Sequence, residues 1–460
     1  MQGPLANRVY RRLFVAQVVA LVGTGLATVA LGLFAYQLAG ANAGMVLGTA
    51  LALKMIAYVG VAPLVGAIAH RLPRRRLLVG LDLARTLLIG LLPWVTELWQ
   101  VYALIFALNA CAAGFTPTFQ ATIPDILPDE RDYTRALSLS RLAYDLENLL
   151  SPTLAALALL VMSYHGLFTL NALAFLVSAL LVLSVVLPKP GAPSRASTLR
   201  DELTYGTRVF LATPRLRALF ALYAAVALAG AMVTVNSVVI VRDRLGGSEF
   251  DTALAFIAAG AGSMAVALAL PALLDRAPDR PFLWAGGGLI TLGLLLGTTD
   301  PDFITLLCIW GLLGAGASLI QTPAGRLVRR SCHAGDRPAV FAAQFALSHA
   351  SWLVAYPLVG WLGATAGLSV TFLVAAAIAG LATLLSMTAW HGAPAGKLEH
   401  RHVPVDHTHP HVHDEHHSHL HEGWEGPEPH SHPHRHEPLS HAHDYVIDDH
   451  HPRWPNPARF

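Results

Sequence analysis

Charge is scarce in this 460-residue chain: Asp, Glu, Lys and Arg together make up 13% of it, against about 25% in soluble domains. A water-surrounded protein needs charged positions along the outer face of every helix, so a soluble fold is excluded over most of the length. Cysteine is equally rare. Cys111, Cys308 and Cys332 stand alone, without disulfide or zinc-type spacing, and read as packing residues. No GxxxxGK[ST] run occurs, and Gly392–Lys397 lacks both its spacing and the following Ser/Thr, so ATP is not expected to drive the protein directly. Neither an enzyme nor a nucleic-acid partner is expected. The net charge of +2 adds little, because the charges are segregated along the chain.

What fills the space is apolar. A bilayer-spanning helix needs roughly 20 mostly apolar residues, and such runs recur from Tyr10 to Trp390. The pattern predicts spans near 10–38, 43–69, 77–96, 99–123, 136–162 and 165–187. A second set follows near 216–242, 250–274, 281–299, 303–328, 338–365 and 369–390. Arg8, Arg11 and Arg12 before the first run resemble the start of a signal peptide, but that run is too long for one and reads as span 1. Arg71, Arg74, Arg75, Arg76, Arg131, Arg135, Arg276, Arg280, Arg326, Arg329, Arg330 and Arg337 fall in alternate loops. The opposite loops, such as Ala39–Asn42 and Ser163–Gly166, are nearly uncharged, and Arg242 and Arg244 are the exception. The positive-inside rule then places both termini in the cytoplasm of a bacterial inner membrane. Residues 188–215, with four prolines and a short amphipathic stretch from Thr198 to Phe210, read as a cytoplasmic linker between bundles 1–187 and 216–390.

The two bundles repeat. His70-Arg71-Leu72-Pro73-Arg74-Arg75 matches Asp275-Arg276-Ala277-Pro278-Asp279-Arg280 at an offset of 205, and Pro152 recurs as Pro357 at the same offset. Thr116-Pro117 recurs as Thr322-Pro323, and Glu130-Arg131 as Asp336-Arg337, at 206. An even-numbered repeat unit keeps its orientation, so the repeats are parallel about an axis along the membrane normal. The layout, with Gly66-Ala67-Ile68-Ala69-His70-Arg71-Leu72-Pro73-Arg74-Arg75-Arg76 in the 2–3 loop, resembles the major facilitator superfamily over residues 1–390. In that family's loop signature an acid stands where His70 is and a glycine where Pro73 is. The resemblance implies an all-α protein of twelve membrane helices in two six-helix halves, rocking alternately about a central substrate site. It also implies a gate at the basic loops: His70, Arg71 and Arg75 on one side, Asp275, Arg276 and Arg280 on the other. Asp82 and Arg85, three apart on span 3, read as a structural pair or a further gate latch near the cytoplasmic end.

After the last span, residues 391–460 hold nineteen of the 23 histidines, many prolines and almost no aliphatic run, so this tail is expected to be disordered. His407, His409, His411 and His413 alternate with other residues. So do His417, His419 and His421, then His430, His432, His434 and His436, with His441 and His443 beyond them. In extended chain, alternate side chains lie on one side roughly 7 Å apart, and imidazole suits Zn, Cu, Fe and Ni. The tail has no Cys or Met and is expected to bind Ni, Co or Zn ions, with no permanently bound cofactor. A facilitator ending in such a tail is similar to NreB-type nickel-resistance exporters. The segments Phe119-Gln120-Ala121-Thr122-Ile123-Pro124-Asp125-Ile126-Leu127-Pro128-Asp129 and Leu146-Glu147-Asn148-Leu149-Leu150-Ser151-Pro152 share in that likeness. The resemblance implies Ni²⁺ or Co²⁺ as substrate; the residues alone imply a borderline divalent cation.

Ionisable groups within spans cost roughly 2.5–3.5 kcal/mol each on insertion scales and need a reason. Asp145 and Glu147 lie near the middle of span 5 on different faces. Lys54, mid-span on span 2, is expected to pair with one of them, unless that carboxylate carries proton or cation. His349 on span 11, whose repeat equivalent is Tyr144, is expected at a depth comparable to Asp145. Asn109, Asn171, Asn236 and Gln321 are expected to bridge helices, with Asn109 and Gln321 as candidates for the cavity. The expected function is a secondary active exporter of Ni²⁺ or Co²⁺ driven by inward proton flow. The alternatives are an exporter of an organic solute, drug or siderophore whose tail buffers metal, and a membrane metal sensor that no longer transports.

Overall fold

The computed structural model describes residues 3–39, 43–189, 199–390, 397–401, 405–411, 430–436, 440–447, 451 and 454. Helix starts follow local chemistry. Asp129 accepts from the backbone N–H of Asp132 at 3.0 Å, Ser248 and Asp251 cap one another reciprocally, and Asp302 accepts from the N–H of Thr305 at 2.8 Å. Pro73 and Pro278 occupy equivalent N-cap positions in the two halves.

The N-terminal half is α1 (Arg8–Ala39), α2 (Ala43–Ile68), α3 (Arg74–Leu91), α4 (Leu98–Ile126), α5 (Glu130–Leu159) and α6 (Tyr164–Leu183). The amphipathic stretch of the linker forms α7 (Leu199–Ala212). The C-terminal half is α8 (Pro214–Ala231, running on through π turns at Met232–Asn236 and Val239–Arg244), α9 (Glu249–Leu274), α10 (Asp279–Leu296), α11 (Phe303–Arg329), α12 (Arg337–Thr365) and α13 (Leu368–Ala389). Helices α3 and α10 are both 18 residues long and are displaced by the same 205 residues as the loop repeat.

Among the described residues, eleven helices are long and apolar enough to cross a bilayer, one fewer than the twelve spans expected. The missing one is α5. It is present as a 30-residue helix, but its sequence carries Arg141, Asp145 and Glu147. It packs between α1 of its own half and α9 of the other, so its polar groups face protein. Large apolar side chains such as Leu87 (70% exposed) and Val354 (65% exposed) cover the outside, as a lipid-facing surface requires. Arg242 and Arg244, the exceptions to the basic-loop pattern, are matched by Glu249 (3.3 Å) and by Asp300.

Within each half, α1 packs on α6 and α11 on α9. At the α9–α11 crossing, a Cβ on Gly262 or Gly314 would collide with the carbonyls of Gly311 and Ala259, so the close approach requires glycine. The halves meet along α2–α12 and α5–α9.

Among the described residues of the tail, four short segments are extended and paired. β1 (Lys397–Arg401) pairs antiparallel with β4 (Ser440–Asp444), and β2 (Val405–His411) with β3 (His430–His436). Two-stranded ladders satisfy backbone groups without an apolar core, which a composition argument about burial does not exclude. The register sets His407 opposite His434, His409 opposite His432, and His411 opposite His430. His441 stands opposite His400 and His443 opposite Leu398. His413, His417, His419 and His421 lie outside the described residues.

Cys332, between α11 and α12, is buried, and burial pushes its thiol up to about 12, with Asp336 adding to the shift. A raised thiol pKa leaves almost no thiolate at pH 8. Maleimide is therefore expected to label Cys332 far more slowly than an exposed thiol; labelling at the free-thiol rate would show that this turn opens readily.

Candidate transport site and gate

Two polar clusters lie where the halves meet. The first joins α2, α5 and α12. His349 stands edge-on to the Tyr58 ring at 4.7 Å, and the Lys54 ammonium lies 5.6 Å from the centre of the same ring. Lys54 also feels the charge of Glu147 and the phenol of Tyr356, and Tyr144 lies within electrostatic reach of Tyr58 and Glu147. All six side chains are half-buried. The Nδ1 of His349 is 2.7 Å from the Phe345 carbonyl oxygen. That contact needs a proton on Nδ1, leaving Nε2 as the acceptor of a neutral ring. By helix rise, Lys54, Glu147 and His349 lie roughly 18–25 Å from the basic ends of their helices.

The expected ion pair between Lys54 and a span 5 carboxylate does not form: no carboxylate comes within 4.0 Å of Lys54 among the described residues. Glu147 and Lys54 share a cluster without touching, so neither charge is locked by the other.

Asp145 belongs to the second cluster. It is 5% exposed, pairs with Arg141 one turn earlier at 2.9 Å, and accepts from the Ser263 hydroxyl at 2.7 Å. Arg141 also donates to Ser263 at 3.0 Å and to the Gln321 side chain at 2.7 Å. This network ties α5 to α9 and α11, and its carboxylate is fully engaged. The structure therefore unites Lys54, Glu147 and His349 but sets Asp145 and Gln321 apart. The two faces expected for Asp145 and Glu147 explain the division. Asn109 bridges no helix: its amide donates to the Ile105 carbonyl of its own helix at 2.8 Å. Arg141 escaped the sequence reading, although its spacing of four from Asp145 is the signal of a helical ion pair. Tyr58 and Tyr356 gave no signal beyond being aromatic residues in apolar runs, and Tyr144 stood out only as the repeat equivalent of His349.

At the face bearing the arginine-rich loops, ion pairs cross between halves. Asp125, at the end of α4, takes Arg74 of α3 at 2.5 Å and also Arg337 at the start of α12. Glu130 takes Arg326 at 2.9 Å and also Arg330, and both arginines hold Asp279, at 3.2 and 2.6 Å. Arg131 lies 3.8 Å from Asp275. The pairs Arg74–Asp125 and Asp279–Arg330 each span 51 residues. They are related by the 205-residue repeat with their polarity reversed. One half thus presents an acid, and the other an arginine, at matching places, so each attracts the opposite half.

Two expected gate residues give way to the residue one position earlier, Arg75 to Arg74 and Arg280 to Asp279. Arg75 and Arg276 are exposed and make no ion pair among the described residues; buried Arg74 and Asp279 do that work. Arg280 lies over the Trp284 ring at 5.1 Å. Neighbouring positions on a helix differ by about 100° in direction, so the turn of α3 and α10 decides which member of an Arg-Arg or Asp-Arg pair points inward. Arg71 and His70 reach Glu202 of the linker helix α7, at 3.0 and 3.7 Å, rather than the opposite bundle.

Asp82 and Arg85 are not a gate latch. They sit midway along α3, with Asp82 fully buried and paired to Arg85. The Ser178 hydroxyl donates to Asp82 at 2.7 Å, and the guanidinium lies between Phe115 and Phe175, at 4.3 and 4.4 Å. The pair binds α3, α4 and α6 together. Removing one partner of a buried pair costs about 3–5 kcal/mol, so Arg85→Met is expected to lower the unfolding temperature sharply in detergent. Adding Asp82→Asn should recover much of the loss, whereas a single variant as stable as the parent would show the pair to be idle.

The family model described as Major Facilitator Superfamily matches residues 13–298 and 220–409. Macrolide efflux protein A of Streptococcus pyogenes is 24% identical over 184 residues, 39% of this chain and 45% of that protein. Its namesake in Enterococcus faecalis is 26% identical over 155 residues, 32% and 48% of the two lengths. The uncharacterized MFS-type transporter YfiS of Bacillus subtilis (strain 168) is 26% identical over 140 residues, 30% and 33%. Each alignment spans less than half of the curated relative. Among solved structures, the human organic anion transporter TETRAN superposes with a TM-score of 0.72 at 16% identity, covering 84% of this chain and 100% of its own. The Escherichia coli fucose:proton symporter gives 0.66 at 13%, covering 83% and 98%. At these identities the structural likeness is one of fold. With family matches running from residue 13 to residue 409 and a fold shared with solved transporters over more than four-fifths of its length, the chain belongs to the Major Facilitator Superfamily.

Proposed function

We propose that the protein is a proton-coupled secondary exporter of an organic solute, lying in the bacterial inner membrane with its basic face and both termini in the cytoplasm. The observation that carries this reading is Lys54 in the same cluster as Glu147 and His349. The ammonium and carboxylate sum to zero, so a bare divalent cation there would leave a double positive charge in a low-dielectric site. Among the described residues, no group of three or more His, Cys, Asp and Glu side chains could hold a metal ion. An organic solute with a hydrogen-bonding or singly charged group meets Glu147 and Lys54, while Tyr58, Tyr144 and Tyr356 take its apolar body. The relatives named for macrolide efflux support the same reading. Coupling follows if substrate and proton compete for Glu147: the proton entering from outside displaces the substrate, and its release to the cytoplasm readies the site again.

The second reading, export of Ni²⁺ or Co²⁺, is favoured by the tail, whose ladder sets three histidine pairs in opposed register. Uptake into everted vesicles separates the two. A labelled macrolide should accumulate and should stop accumulating when an uncoupler removes the pH gradient. Gradient-dependent accumulation of Ni, Co, Zn or Cu without macrolide uptake would replace the first reading by the second. Metal binding without flux of either would make the protein a sensor.

A further inference from the structure

The chain beyond the last ladder returns to the gate. Tyr445, Val446 and Ile447 are buried, as is His451. Tyr445 and Ile447 join the apolar core of the C-terminal half, against which Trp454 packs, and Cys332 belongs to the same core. Tyr445 meets His451 at 4.5 Å and Trp454 at 5.1 Å, both edge-on. Arg215 lies 5.9 Å from the Trp454 ring and donates to Ser331 at 2.7 Å.

Its seat is the linker helix. The Tyr205 hydroxyl of α7 lies 3.2 Å from the Asp336 carboxylate and 3.3 Å from the Ile447 carbonyl. Asp336 is the N-cap of α12 and immediately precedes Arg337, the arginine that crosses to Asp125. The next residue of α7, Gly206, packs so closely on the Ala339 carbonyl of α12 that a Cβ would collide. One turn earlier on the same face, α7 presents Glu202 to Arg71 and His70 of the N-terminal half. Helix α7 therefore touches both halves at the basic face, and the C-terminal segment covers its contact with one of them.

We propose that Tyr445, Val446, Ile447, His451 and Trp454 form a latch, a docking segment of this chain itself, that holds α7 on the C-terminal half and so stabilises the closed gate. Opening the basic face separates the halves there, and α7 can release Arg71 only if its own seat is free to shift. Undocking the segment loosens that seat. The tail between Trp390 and Tyr445 is thereby tethered at both ends, so any load on it bears on the latch.

The test uses full-length protein carrying Cys332 as its one cysteine (Cys111→Ser, Cys308→Ala), and a second background without Cys332 carrying spin labels at positions 75 and 276. Two undocking variants are compared, Tyr445→Ser/Ile447→Ser and a stop after Asp444, with Tyr205→Phe as a mild variant that removes only the hydroxyl. Loss of one large buried apolar side chain is worth roughly tenfold or more in a docking equilibrium. Maleimide labelling of Cys332 should quicken by about that factor, and the label distances should shift toward a separated basic face, least in Tyr205→Phe. Unchanged labelling and distances in both undocking variants would overturn the proposal. Faster labelling with unchanged distances would also overturn it, by making the segment a cover over Cys332 and no latch.

Discussion

Glu147→Gln is expected to reduce uphill transport to background while leaving substrate exchange across the membrane intact. The substitution keeps size and hydrogen bonding but removes the site's only carboxylate among the described residues that is not already held by an arginine or hydroxyl. Asp145→Asn is the informative contrast. Arg141 would keep Ser263 and Gln321, so the α5–α9 contact weakens without losing the proton carrier, and flux should fall yet still follow the pH gradient. Counterflow and gradient-driven uptake, measured on both variants in the same vesicles, decide the matter. If Asp145→Asn abolishes coupling and Glu147→Gln does not, the two clusters have been assigned the wrong roles.

Asp125→Asn should have the second large effect, because one substitution removes the counter-ion of two arginines, Arg74 within its half and Arg337 across the gate. The Arg74 pair lies within one half and is lost in both gate states, so the closed population depends on the cross-gate pair with Arg337; a hydrogen bond to a charged group contributes about 1.5–3 kcal/mol, so that population should fall by roughly tenfold to a hundredfold. Distances between labels on the two basic loops should lengthen, and net export should drop as the closed state becomes rare. Arg131→Ala removes a pair that is 3.8 Å long and largely exposed. Such pairs contribute about 0–1 kcal/mol, and this variant should transport as the parent does. Equal effects from the two would mean that the gate is held by packing, such as Gly66 against Ala342, and not by charge.

The candidate site was legible in part. Lys54, Glu147 and His349 stood out because each interrupts an apolar run, and the structure draws these three together. Asp145 stood out for the same reason but is neutralised by Arg141 and Ser263, partners whose relevance depends on which face of α5 meets α9. The gate shows the same limit at finer scale. The basic loops and their repeat were plain, yet the expected Arg75 gives way to Arg74, and the expected Arg280 to Asp279. A shift of one residue along a helix turns a side chain by about 100°, and no local pattern records which direction is inward.

By itself the sequence determined the class of the protein: apolar runs of bilayer length, basic residues in alternate loops, an amphipathic linker and an internal repeat of about 205 residues. These follow from solvent and periodicity, which act on each segment separately. Only the tertiary structure decided which polar groups meet. It set Lys54 beside Glu147 without an ion pair, reversed the polarity of the repeated gate pair, and brought the Ile447 carbonyl to Tyr205 of α7. Those outcomes depend on contacts between segments 50 to 240 residues apart, where register and helix rotation are set by the packing of two halves against each other.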